Sequence, residues 1–186
     1  MTYVELIVVL TIFSIITSVS MFNYNKFQQK VDIKNLANDI ALRIVEAQKL
    51  STSGKIPPES PSVSPWRPAY GLYFSMTSAT SFTFFTDLDQ DQLYDTALSC
   101  PSGECLNRIT ITKNNRVSGI QVYYNGGTSQ SLSDLTLSFK RPSSLPAFRS
   151  STAFTGTISY IEITVISPNS VSSRIKLYSS GRVQIN

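Results

Sequence analysis

The chain has 186 residues, 41% of them hydrophobic, and no histidine. That length suits one domain, or one domain with an appended element, and the apolar share argues against a disordered chain. Without an imidazole, Ser-His-Asp and Cys-His nucleophiles and histidine-ligated metals are excluded, two cysteines alone cannot complete a structural zinc site, and a net charge of +4 is too small to argue for nucleic acid by itself.

The N-terminal segment is the first informative element. Residues 1–25 carry a single side-chain charge, Glu5, and the run from Leu6 to Phe22 contains no charge, glycine or proline. A helix over that run reaches about 26 Å, close to the ~30 Å hydrocarbon thickness of a bilayer. A secretory signal and a buried core helix are the competing readings. A signal has a basic segment before the apolar run and a small-residue cleavage site after it. Here nothing basic precedes the run, and Asn23-Tyr24-Asn25-Lys26 follows it.

Glu5 is out of place in such a helix. A carboxylate there costs about 2.5–3.5 kcal/mol on insertion scales and normally has a partner. The nearest cation is the α-amino group of Met1, and the next is Lys26, far along the helix. Glu5 is therefore expected to pair with an N-terminal amine, its own or that of another copy. The alternative is a carboxylate lodged among lipid headgroups.

Met1-Thr2-Tyr3-Val4-Glu5-Leu6, followed by an unbroken apolar run, resembles the mature N-terminus of type IV pilins and pseudopilins. Tyr3 stands where that family usually has leucine. At Ser14 and Phe22 the family often has glycine or proline, which can let the helix melt locally. The resemblance covers about the first 25 residues. It implies a short basic leader removed just before Met1 by a prepilin peptidase, with the new amine N-methylated. It also implies residence in the cytoplasmic membrane before assembly by pilus machinery. Lys26, Lys30 and Lys34 favour the opposite orientation under the positive-inside rule, and a basic leader would counter them.

Beyond Phe22 the helical pattern becomes amphipathic. Leu36, Ile40, Ile44 and Ala47 recur at helical spacing, with Ala37, Ala41 and Val45 beside them. One long helix is predicted from Thr2 to about Leu50, ended by Ser51-Thr52-Ser53-Gly54. This divides the chain into a helix over 1–53 and a β-rich head over 54–186. Within the helix, 1–25 is the assembly or transmembrane half and 26–53 the amphipathic half. Residues 55–69 hold five of the nine prolines and predict a surface loop, with Trp66 as its anchor.

The rest of the chain reads as β. Strands are expected over 70–76, 81–86, 107–112, 117–124, 133–140, 157–166, 171–178 and 181–185, all rich in Val, Ile, Thr, Tyr and Phe. The last pair, joined through Ser179-Ser180-Gly181, predicts a terminal hairpin. It resembles the C-terminal hairpin of the H-type pseudopilin and FimT-like branch of the family.

Two clusters carry possible chemistry. Asp87-Leu88-Asp89-Gln90-Asp91-Gln92-Leu93-Tyr94-Asp95 crowds carboxylates that repel one another unless neutralised. Asp87, Asp89, Asp91 and Asp95 occupy the first, third, fifth and ninth places of a calcium loop of EF-hand type, with the Leu93 carbonyl at the seventh. Gln92 replaces its turn glycine and Leu98 its bidentate glutamate. Weak Ca²⁺ binding is expected, and a solvated acidic turn is the alternative. Similar loops serve as small calcium clips in pilin-like domains. Cys100 and Cys105 are expected to form a disulfide in an extracellular setting. Their spacing is too wide for a redox Cys-x-x-Cys pair.

The predicted fold is α+β, a long helical stalk on a β-rich head. The expected function, implied by the resemblance, is assembly rather than catalysis. The chain would be the structural subunit of an extracellular type IV pilus for adhesion and motility. It would form a homo-oligomeric helical filament in which Glu5 and the amine of Met1 set the register. One alternative is a pseudopilin of a type II secretion system. Another is a membrane-anchored, calcium-binding adhesin that never polymerises.

Overall fold

The structure is a computed structural model in which residues 2–57, 67, 69–95, 100–101 and 103–186 are described. Met1, Trp66, Leu98 and the proline-rich stretch 58–66 lie outside the described residues, and so do the expectations placed on them.

A single helix, α1 (Tyr3–Ser53), opens the chain. It ends three residues beyond the expected Leu50, because Gly54 adopts the left-handed conformation (φ 67°) and its N–H reaches Leu50 O and Ser51 O. The helix runs unbroken through Ser14 and Phe22. Three hydroxyls of its lower half are satisfied internally: Thr11, Thr17 and Ser20 donate to the carbonyls of Ile7, Phe13 and Ile16 at 2.8, 2.8 and 3.0 Å. That pattern suits a helix in an apolar solvent, where no water can take those protons.

Ten strands follow. They are β1 (Ala69–Ser75), β2 (Ser81–Asp87), β3 (Cys105–Thr110), β4 (Arg116–Tyr124), β5 (Ser129–Leu132), β6 (Asp134–Lys140), β7 (Pro146–Arg149), β8 (Ile158–Ile166), β9 (Ser172–Tyr178) and β10 (Val183–Ile185). They form two antiparallel sheets, ordered β3-β2-β1-β6-β7 and β10-β9-β8-β4-β5. All eight expected strands are present to within two residues or so at each end. The two strands without a predicted counterpart, β5 and β7, are short edge strands of Ser-Gln-Ser-Leu and Pro-Ala-Phe-Arg. Neither carries a β signal of its own, and pairing with β4 and β6 imposes the extended backbone. The β9–β10 hairpin closes as expected through Gly181 (φ 86°).

The upper half of α1 packs across both sheets, on β1 and β6 of the first and on β8, β9 and β10 of the second. Its buried residues are Ile33, Ala37, Ile40, Ile44 and Ala47. They join Leu72, Phe74, Leu137 and Phe139 from one sheet and Ile120, Ile161, Ile163 and Ile175 from the other in one core. Val45, grouped with this stripe on spacing alone, is 46% exposed and faces away from the head. At the top of the helix, buried Ser51 donates to Phe139 O at 2.7 Å, and Gln48 donates to Ser144 O at 2.8 Å. Beneath the first sheet, Gly71 leaves room for its neighbours: a Cβ there would lie 2.3 Å from Leu137 O and 2.5 Å from the Phe85 ring.

Ile40 is fully buried and Leu42 is 65% exposed, two residues apart on one helix. Ile40→Ala should cost about 2–5 kcal/mol through the cavity it leaves, and Leu42→Ala within about 0.5 kcal/mol. Denaturant unfolding of the full chain in detergent measures both. Equal losses would show that the helix packs on the head by another face.

Candidate functional site

The acidic loop springs from the end of β2. Asp87, the last residue of that strand, is fully buried. Its Oδ1 accepts the N–H of Gln90 at 2.6 Å and its Oδ2 that of Gln92 at 3.1 Å. Asp89 accepts the N–H of Asp91 at 3.1 Å, and Asp91 accepts that of Leu93 at 2.6 Å. Gln92 adopts a left-handed conformation (φ 67°), the region that a turn glycine would favour. Its side chain is held by Arg149, whose Nη2 donates to Gln92 Oε1 at 2.9 Å. The missing glycine is thus accommodated by a strained, tethered glutamine.

One carboxylate oxygen from each of Asp87, Asp89 and Asp91 lies within 4.8 Å of the others. Oxygens sharing one calcium ion at ~2.3–2.6 Å lie at most about 5 Å apart, so this donor set fits a divalent cation. Asp95 stands outside the group and is exposed; its backbone N–H donates to Glu104 Oε2 at 2.8 Å. Leu93 contributes its N–H to the loop, and its side chain is 42% exposed.

Glu104 was not singled out from sequence. It is buried, and its two oxygens accept the N–H groups of Leu88 and Asp95 at 2.9 and 2.8 Å. It therefore ties both ends of the acidic loop to the start of β3. Only its position beside Cys105 hints at this. Burial raises the Glu104 carboxyl above its ordinary value. Burial also pushes Asp87 from 3.8 up to about 6, opposed by the N–H groups of Gln92 and Gln90 and reinforced by the charges of Asp89 and Asp91.

Cys100 and Cys105 are bonded, with their Cα atoms 5.1 Å apart. Cys105 packs with Phe85 and Tyr94 in a small cluster separate from the main core. The Tyr94 ring lies 5.3 Å from Phe85 and 5.0 Å from Tyr73. The disulfide, the Glu104 clamp and the Tyr94 anchor together pin the loop to one sheet.

The second candidate is the lower half of α1. Its large apolar side chains, from Tyr3 to Met21, are 45–80% exposed. This half is long and apolar enough to cross a membrane, and its apolar run is exposed along its length. Glu5 Oε2 accepts the Thr2 N–H at 3.3 Å, and the Glu5 N–H donates to Thr2 Oγ1 at 3.4 Å. This is a capping box. Its Thr-x-x-Glu signature was readable in the sequence. Pairing of Glu5 with the amine of Met1 lies outside the described residues.

The chain matches no protein-family model, and no curated protein and no solved structure is significantly similar to it. A long apolar N-terminal helix on an antiparallel β head is nonetheless compatible with a pilin-like fold.

The raised Asp87 carboxyl gives a pH dependence of definite sign. Folding favours its protonated form, so that contribution is full below 3.8 and is lost as pH rises through about 6. Without divalent cations, the unfolding midpoint should fall across that window, and Asp87→Asn should flatten the fall. A slope unchanged by Asp87→Asn would show that Asp87 is not the group titrating.

Proposed function

We propose that this protein is the structural subunit of a pilin-like filament, held in a membrane by the lower half of α1 before assembly and displayed outside the cell afterwards. The carrying observation is that this half is apolar but for Glu5 and a few hydroxyls, and that among the described residues nothing covers it. Leaving it in water is costly at about 25 cal/mol per Å² of apolar surface. A bilayer covers it before assembly, and other copies cover it in a fibre. The N-terminal sequence pattern supports the same reading. The secretion pseudopilus remains the second reading, favoured by the β9–β10 hairpin at the end of the chain.

In this reading Glu5 changes partner. In the single chain it accepts from the Thr2 backbone at 3.3 Å, a long and weak bond. In the fibre it takes the N-terminal amine of a neighbour, a charge-assisted bond in a low-dielectric core. Glu5→Ala should leave the subunit in the membrane at its normal level and lower the yield of sheared filaments about tenfold or more, the effect of losing a buried charged partner. Normal filament yield would remove Glu5 from assembly.

The acidic loop is assigned to Ca²⁺, held by Asp87, Asp89 and Asp91. The ion would neutralise the loop and stiffen the head; magnesium suits a flexible all-protein oxygen cage less well. Affinity in the range of ~10⁻⁴–10⁻³ M is expected, as for extracellular modules. At ~100 Kd the ion adds about 2.7 kcal/mol, so the melting temperature should rise with calcium. The rise should vanish in Asp89→Ala. A melt indifferent to ~10 mM calcium, above that range, would make the loop an acidic turn only.

A further inference from the structure

The upper half of α1 has two apolar faces. One packs on the head through Ile33, Ala37, Ile40 and Ile44. The other points away from it. Tyr24, Val31, Asn38 and Val45 fall one heptad apart along that back face, with Phe27 and Leu42 in the same strip and Asn35 and Lys49 as its polar interruptions. Tyr24, Phe27, Leu42 and Val45 are 64, 64, 65 and 46% exposed. The outward face of a helix on a soluble domain is ordinarily polar, and one apolar on both sides is ordinarily covered on both. The strip is also continuous with the membrane half, since Tyr3, Leu10 and Thr17 continue the same heptad downward.

Charges border this strip asymmetrically. Lys30 and Lys34 line a groove on one flank, against Val171, Ser172 and Ile185 of the second sheet's end. Asp32 and Asp39 line a groove on the opposite flank, against Ile109 and Lys113 by the first sheet. Asp32 is already paired with Lys113 at 2.7 Å. Among the described residues, Lys30, Lys34 and Asp39 have no ion pair within the chain.

We propose that this back face is a contact surface for a second copy of the chain, in which the apolar strip centred on Asn38 meets a neighbouring α1 and the Lys30–Lys34 flank of one copy meets the Asp39 flank of the other. The inference rests on the filament reading and extends it above the membrane half. Its geometry selects direction. Two helices apposed in parallel by this strip bring opposite flanks together, whereas antiparallel apposition brings lysine to lysine and aspartate to aspartate. Subunits inserted in one membrane all point the same way, so parallel apposition is the arrangement they need. Asn38 in the middle of the strip disfavours a slip of one heptad, which would leave its amide facing Val31 or Val45. The unlike flanks add specificity against wrong neighbours.

A charge swap tests this in cells producing the full chain, by measuring sheared filament per membrane-held subunit. Lys30→Glu with Lys34→Glu should lower filament yield about tenfold or more, and so should Asp39→Lys alone, by the cost of apposing like charges. All three changes together should restore the yield to within about threefold of the unaltered chain, because the flanks are again opposite. Membrane level and unfolding midpoint should be unchanged in each, since none of the three side chains holds the head. Unaltered yield in the separate variants, or no restoration in the combination, would overturn the inference and leave the filament reading standing. Absence of filaments from the unaltered chain would overturn both.

Discussion

A single helix in two solvents dominates this molecule. From Ile33 to Ser51 one face of α1 is sealed into the core of the head, and from Tyr3 to Met21 it is exposed among the described residues. The apolar effect has no direction, so the lower half accepts any apolar partner, lipid or protein. What the fold supplies is rigidity. The helix continues without a break into the head, and the hydroxyls of Thr11, Thr17 and Ser20 in its lower half bond to its own carbonyls. In the filament proposed above, a subunit passing from lipid to fibre would need no rearrangement of its backbone. The head is held to the helix at several heights, by the isoleucines in the middle and by Ser51 and Gln48 near the top.

The acidic loop shows a similar economy. Its carboxylates first serve as acceptors for the N–H groups of the loop itself, which builds the turn. One oxygen from each of Asp87, Asp89 and Asp91 also lies within 4.8 Å of the others, and a carboxylate oxygen that accepts one N–H keeps a second lone pair. The fold supports this cluster from outside, with Glu104 on the backbone of Leu88 and Asp95 and the disulfide fixing the start of β3. Burying Asp87 and Glu104 raises both carboxyls, which is the electrostatic condition a cation relieves.

How much of this was legible depended on whether the signal was local. The long helix and eight strands follow from periodicity, and the structure places them within a residue or three. The division into two sheets does not follow, because β1 pairs with β6 across the whole of residues 76–133 and no local pattern encodes that choice. β5 and β7 are strands only because β4 and β6 offer them a ladder. Val45 looked like a core residue because its spacing places it beside Ala41, yet the head covers a narrower arc of the helix. The Asp87-Asp89-Asp91 cluster was legible as a spacing. Glu104 was not, since its function is to bond backbone groups that only folding brings within reach. At Glu5 the carboxylate's need for a partner was legible. The partner within the single chain, the Thr2 backbone, is encoded by the Thr-x-x-Glu capping signature and not by a charge.

The central claim is that the exposed half of α1 is covered by other copies of the same chain. The most direct measurement places a photoreactive residue at Leu10, which is 57% exposed on the lower helix, and irradiates intact cells. The account predicts adducts at multiples of the chain mass, forming a ladder in the sheared surface fraction. Crosslinking to lipid alone, with every copy remaining at the mass of one chain, would contradict it.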